Sequence, residues 1–220
     1  MNLQNDTVKY YSERAKEYEN IYLKPERKDD LQKVTKILQD IFRNKSIIEI
    51  ACGTGYWTER IAQTAKSIYA IDINDSVLEI AGSKTYPQNN VIFENADFYK
   101  LSPAQPYENL FGGFILSHIK LQEMNNFIKV ISKFVIPGGT LILLDNNYVE
   151  GSSTPILYAD EAGNTYQKRK LKDGSEHIIV KNFLTRNYLL KLLKNRFTDI
   201  EFINLKYYWI LSLKKIIKQR

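Results

Sequence analysis

Little in this sequence points to an oxidising or membrane setting. One cysteine, Cys52, stands in 220 residues, so no intramolecular disulfide can form and a reducing, cytoplasmic interior is the expected home. No apolar run reaches the length of a membrane span, and the opening stretch MNLQNDTVKYYSERAKEYE lacks the apolar centre of a secretion signal. No internal repeat or low-complexity tract stands out. Charge of one sign is not in large excess either. The 31 basic and 25 acidic residues leave a net charge of +6, which permits an anionic substrate or partner without calling for nucleic acid. Histidine is scarce, so any imidazole chemistry has two candidates, His118 and His177. Hydrophobic residues, at 44%, are plentiful enough for the core of one domain, and there are 15 tyrosines.

The apolar pattern reads as helix, helix, then alternating strand and helix. Residues 6–20 form an amphipathic helix carrying Tyr10, Tyr11 and Tyr18. Pro25 opens a second helix, with Leu31, Val34, Ile37, Leu38 and Ile41 at helical spacing. The strands SIIEIAC, SIYAIDI and VIFENAD alternate with the helices YWTERIAQTA and DSVLEIAGSK. After a loop, SPAQPYENL, come a weak strand FGGFILS and the helix LQEMNNFIKVISKFVI, ended by Pro137-Gly138-Gly139. The strand TLILLDN follows. Continuous apolar strands of this kind belong to parallel sheets covered on both faces.

The last third differs. Two strands flank Asp173-Gly174, a hairpin signal. After the helix TRNYLLKLLKNR, the strands DIEFINLKY and YWILSLKK lie too close for a helical crossover, so one must run antiparallel. The expectation is a single α/β domain over residues 1–220. Its sheet is doubly wound, Rossmann-like, seven-stranded and mostly parallel, with an antiparallel strand near the C-terminus and a β-hairpin insertion. Residues 1–44 form the N-terminal helices, 45–147 the core, 148–184 the insertion, and 185–220 the final helix and strand pair.

In such sheets ligands sit beyond the carboxyl ends of the strands. The residues there are Gly53 and Gly55, Asp72, Asp97 and Phe98, Ser117 and His118, and Asp145 to Asn147. Asp72 follows Gly53 by 19 residues, the spacing at which an acid takes ribose hydroxyls. A dinucleotide site would want a third glycine where Thr58 stands, and Glu49 is an odd charge inside a buried strand.

EIACGTG, YAIDIN, NADF and FVIPGGTLILLD, in this order, resemble the motifs of the class I S-adenosylmethionine-dependent methyltransferases. YYSERAKEYE resembles the N-terminal helix of their small bacterial members, which covers the cofactor. The resemblance spans most of residues 6–147 and only the outline of the last third. It implies that the backbone at Ala51, Gly53 and Gly55 approaches the methionine part of S-adenosylmethionine. Glu49 then orders that loop or reaches the amino group through water. Asp72, beside Ile73, accepts the ribose hydroxyls, and Asp97 and Phe98 meet the adenine. Ser117 belongs to the same cofactor set. Tyr11 and Arg14 reach the methionine carboxylate, or else belong to a packing stripe and a charged surface.

Methyl transfer from a sulfonium mainly needs alignment and exclusion of water, so few catalytic residues are compulsory. The Pro-Pro motif common after strand four in methylases of exocyclic amines is replaced here by LSHI, which disfavours that class. His118, where the methyl should arrive, is the candidate base or substrate orienter, the alternative being a hydrogen-bonded structural histidine. The expected reaction is O-methylation of a small molecule or peptide, with a carboxylate favoured. Lys168, Arg169 and Lys170 are candidate substrate residues on the hairpin, Lys168 and Lys170 sharing one face and Arg169 the other, unless all are a solvated face. The competing readings are a nicotinamide- or flavin-dependent oxidoreductase on a related fold and a non-catalytic cofactor-binding subunit.

Overall fold

A computed structural model describes residues 3–101 and 105–217. Residues 102–104, in the loop expected at SPAQPYENL, lie outside the described residues. The chain begins with α1 (Leu3–Arg14), which runs on into 3-10 turns (Ala15–Leu23) rather than continuing as α-helix to residue 20. After a short turn at Pro25–Arg27 comes α2 (Lys28–Ile41), whose Leu31, Val34 and Leu38 are buried. The core follows as β1 (Ser46–Ile50), α3 (Tyr56–Ala62), β2 (Ser67–Asp72), α4 (Asp75–Gly82), β3 (Val91–Asn95), β4 (Tyr107–Gly113), α5 (Met124–Ile131) and β5 (Val135–Asn146). A separate antiparallel sheet comprises β6 (Tyr158–Ala159), β7 (Thr165–Lys170) and β8 (Glu176–Val180). The chain then returns to the main sheet through α6 (Arg186–Leu193), β9 (Phe197–Asn204) and β10 (Tyr208–Lys215).

The main sheet has seven strands in the order β3-β2-β1-β4-β5-β10-β9. Strands β1 to β5 pair in parallel, and β10 is antiparallel to both β5 and β9. Period-two alternation divides its side chains between two cores. Ile47, Ile142, Leu144, Tyr208 and Ile210 face α2 and α3, whereas Ile48, Ile50, Leu141, Leu143, Trp209 and Leu211 face α5 and α6. Full burial of one such side chain contributes about 1.5–3 kcal/mol, so a sheet covered on both sides is the main source of stability. Among the described residues no helix is long and apolar enough to cross a membrane.

Three expectations need correction. The stretch Tyr107–Leu110, assigned to a loop, is the start of β4. Conversely, Phe114 leaves the strand at φ 57 and Leu116–His118 form a 3-10 turn instead of continuing it. The helix before Pro137-Gly138-Gly139 stops at Ile131, and that tripeptide lies inside β5. Val135 pairs with Tyr107 but Thr140 with Asn109, so the intervening residues bulge from the ladder. The short strand β6, against β7, was not expected at all.

Candidate functional site

The turn after β1 is built from left-handed backbone. Ala51, Gly53 and Gly55 have φ of 52, 58 and 75°. At Ala51, which carries a side chain, this conformation is strained. Gly55 has a second reason to be glycine. A Cβ there would lie 2.7 Å from the Tyr86 hydroxyl and 3.0 Å from the Ala81 methyl, so the turn is held hard against α4. A Cβ on Gly53 would meet nothing within 4 Å, because its free side opens into a cleft.

That cleft, of about 630 Å3, runs along the carboxyl ends of β1 to β4 under α1. Asp72 lies at the end of β2, where parallel pairing with β1 brings it under the turn. One of its carboxylate oxygens accepts the Gly53 N–H at 2.9 Å and the other the Asn74 N–H at 3.0 Å. Burial pushes its pKa up, against the pull of these backbone donors. Asp97 accepts the Tyr99 N–H at 2.9 Å and, with Phe98, walls the far end. The cleft's lining thus brings together Tyr11, Ala51, Gly53, Asp72, Ile73, Asp97, Phe98 and His118.

Glu49 lies beneath the turn, 2% exposed, with Oε2 lacking a hydrogen-bond partner. Burial, and then repulsion from Asp72, raises its pKa to about 8. The turn is also tied to the N-terminal segment. The Thr54 hydroxyl donates to Glu19 at 2.8 Å, and Lys84 pairs with the same carboxylate at 2.5 Å.

At the other end His118 is gripped on both sides. Its Nδ1 lies 2.7 Å from the Val180 carbonyl, so that nitrogen carries the proton. Its Nε2 then accepts from the Tyr11 hydroxyl at 2.7 Å. Burial, and after it the positive charge of Lys181, holds the imidazole well below its usual pKa, with Arg169 and Arg14 adding to the effect. The ring is neutral and both nitrogens are engaged.

The other expected site residues lie behind the lining. Arg14 stands over the rings of Tyr10 and Tyr18, at 5.6 and 5.3 Å. Ser117 was expected at the cofactor but is turned away from the cleft and buried. Its N–H donates to Asp145 at 2.9 Å and its hydroxyl accepts from Lys181 at 2.6 Å. The cause is the break at Phe114, which ends β4 early and rolls the next residues into a turn. Lys168 and Lys170, expected as substrate residues, are both exposed on the outer face of β7, and Lys168 pairs with Glu176 at 2.7 Å. Arg169 alone turns inward.

Sequence reasoning passed over several elements of this region. Thr7, Val8, Tyr18, Phe114 and Val180 line the cleft, and buried Lys181 forms an ion pair with Asp145 at 3.2 Å while donating to Asn146 at 2.9 Å. Tyr18 was visible as part of the aromatic stripe of the first helix. Nothing local marks Lys181 among its neighbouring lysines.

A family model described as a methyltransferase domain matches residues 47–139. An uncharacterized methyltransferase of Anoxybacillus flavithermus is 23% identical over 115 residues, 52% of this chain and 53% of that protein. A phosphoethanolamine N-methyltransferase of Zea mays is 23% identical over 130 residues, 58% of this chain and 26% of that protein. The chain therefore spans about half or less of these curated relatives. Among solved structures, the DhpI–SAH complex superposes with a TM-score of 0.80 at 22% identity, covering 98% of each chain.

Proposed function

We propose that the chain is a class I S-adenosylmethionine-dependent methyltransferase, which binds S-adenosylmethionine in the β1–β4 cleft and methylates an oxygen of a small molecule or peptide that arrives as an anion; the methyltransferase-domain match and the cleft support this reading. The observation that carries the first half is the Asp72 carboxylate set beside the open Gly53 turn. Each Asp72 oxygen spends one lone pair on a backbone N–H, which leaves the others for a pair of ribose hydroxyls. Among the described residues the second Asp97 oxygen accepts no backbone N–H and pairs only with exposed Lys100 at 3.5 Å, so it can take an adenine amino group, and the Phe98 ring gives that end an apolar wall. Residues 1–44 act in this reading as a cover, and residues 148–184 as the acceptor-side wall.

When bound, the cofactor supplies a methyl carbon on sulfonium, to which the acceptor oxygen forms its bond while the sulfur keeps the electron pair. The chain's contribution is alignment, and its groups argue about the acceptor. His118 is neutral, with Nε2 occupied by Tyr11, and it lies in the field of Lys181, Arg169 and Arg14. It is thus a poor proton acceptor, and an acceptor that is already deprotonated, such as a carboxylate, needs none. A cationic acceptor group would meet this field unfavourably. His118 and Tyr11 orient the acceptor rather than deprotonate it.

The test has two stages. Calorimetry with S-adenosylhomocysteine should show binding, and a melting curve at 100 times the dissociation constant should report about 2.7 kcal/mol of added stability. Methyl transfer from S-adenosylmethionine is then read by mass spectrometry across carboxylic acids, acidic peptides, phenols and amines. Transfer confined to amines would overturn the acceptor half of the reading. Absence of cofactor binding would overturn both halves.

A further inference from the structure

Arg169 is an enclosed guanidinium without an acid. From β7 it turns inward, donating through Nη1 to the Thr154 hydroxyl and through Nη2 to the Gln167 side-chain oxygen, both at 2.6 Å. Its Nε is buried and has no hydrogen-bond partner. Among the described residues no carboxylate lies within ion-pair distance of it, whereas its charge bears on Tyr11 and His118 of the cleft wall. Its charged neighbours are cations. Lys24 and Lys181 both feel it, and Arg27 stands close to Lys24 and Lys181.

The acids nearby are committed elsewhere. Asp145 holds Lys181 and the N–H groups of Ser117 and Asn146, and Glu26 accepts from the Ser152 hydroxyl. Lys24 and Arg27 are anchored on the same Ser152, two residues from Thr154. Lys181 has Asp145 as its counter-charge, but the hydrogen-bond partners of Arg169 and Arg27 are neutral oxygens, and a cation held out of water without an acid is costly. A guanidinium fork is the group best shaped to take an oxyanion in two parallel hydrogen bonds.

We propose that Arg169 anchors an oxyanion subsite between β7 and the loop that carries Ser152 and Thr154, beyond the Tyr11–His118 wall of the cleft. The ligand is a carboxylate, phosphoryl or phosphonyl group of the acceptor. On binding it takes over the guanidinium from Thr154 and Gln167 and uses the unpartnered Nε. The assignment of that anion to the methyl acceptor rests on the methyltransferase reading, but the subsite itself does not.

The experiment uses the full chain, with and without saturating S-adenosylhomocysteine, titrated calorimetrically with inorganic phosphate, methylphosphonate and acetate. At least one anion should bind, and Arg169→Gln should weaken it by at least about tenfold. Arg169→Lys keeps the charge without the fork and should bind between the two. Lys168→Gln, on the outer face, should bind as the wild type does. Preference for phosphate and methylphosphonate assigns a phosphoryl or phosphonyl group, and preference for acetate a carboxylate. S-Adenosylhomocysteine affinity should be unchanged in every variant, which also certifies their fold. If the nucleoside ligand binds but no anion does, or if the anion binds equally well to the Arg169 variants, the subsite is refuted while the cofactor site stands. If an anion binds in an Arg169-dependent way and the nucleoside does not, the subsite stands and the methyltransferase reading falls.

Discussion

Glu49→Gln tests the electrostatics under the cofactor turn. The wild-type carboxyl has a pKa of about 8 in the folded chain and about 4.5 when unfolded, because burial, and secondarily Asp72, disfavours its charge. Below pH 4.5 both states are protonated and the shift has no effect on stability. Between the two values the folded chain retains a proton that the unfolded chain has lost, so stability falls as pH rises. The slope is about 1.4 kcal/mol per pH unit and the full loss about 5 kcal/mol, an upper bound since water can reach the site as the turn relaxes. Glutamine keeps the volume and cannot ionise, so the variant should lack this slope. Its amide must find partners at a position where Oε2 already has none, so the absolute stability at one pH is not the informative quantity. The quantity to follow is the difference between the two proteins in urea unfolding at several values from pH 5 to 8.5. That difference should move in the variant's favour by about 1.4 kcal/mol per pH unit up to about pH 8 and then level off. Two curves that stay parallel from pH 5 to 8 would refute the argument, and with it the view that Glu49 is protonated beneath the turn.

Asp72→Ala should weaken S-adenosylhomocysteine binding by about 1.5–3 kcal/mol in calorimetry, since hydrogen bonds to a charged acceptor would be lost. Unchanged affinity would exclude Asp72 as the ribose acceptor. Tyr11→Phe leaves His118 Nε2 enclosed without its donor and should cost about 1–3 kcal/mol in urea unfolding. A stability equal to wild type would mean that water replaces the phenol. Gly55→Ala combines a left-handed residue with a 2.7 Å approach to Tyr86, so it should lower both melting temperature and cofactor affinity. A variant as stable and as tight as wild type would show that the turn can move off α4.

The sheet was legible because its evidence is local. Strands buried on both faces are written as unbroken apolar runs, and the spacing of Gly53 and Asp72 states which strand ends meet. The failures came where a distant contact decides the outcome. Phe114 takes a left-handed conformation that no glycine announces, and the turn Leu116–His118 that follows this break carries Ser117 away from the cleft and toward Asp145 and Lys181. Tyr11 and His118 meet across 107 residues.

The hairpin is the sharpest case. Alternation correctly separates Lys168 and Lys170 from Arg169, but it cannot say which face looks inward. On β8 the adjacent Ile178 and Ile179 offer equal apolar reasons for either face. The structure buries Ile179 with Leu171 against Tyr10 of α1 and leaves Ile178 at 41% exposure opposite Lys168. The inward face is therefore chosen by an aromatic side chain in the first helix. Once Tyr10 covers Ile179, the pairing of Gln167 with Ile179 commits Gln167 and Arg169 to the same side, and the two lysines to water. A one-residue slip of β7 against β8 would exchange them. The packing of α1 thus does more than roof the cleft, since it also determines which cation of the YQKRK run stands behind His118.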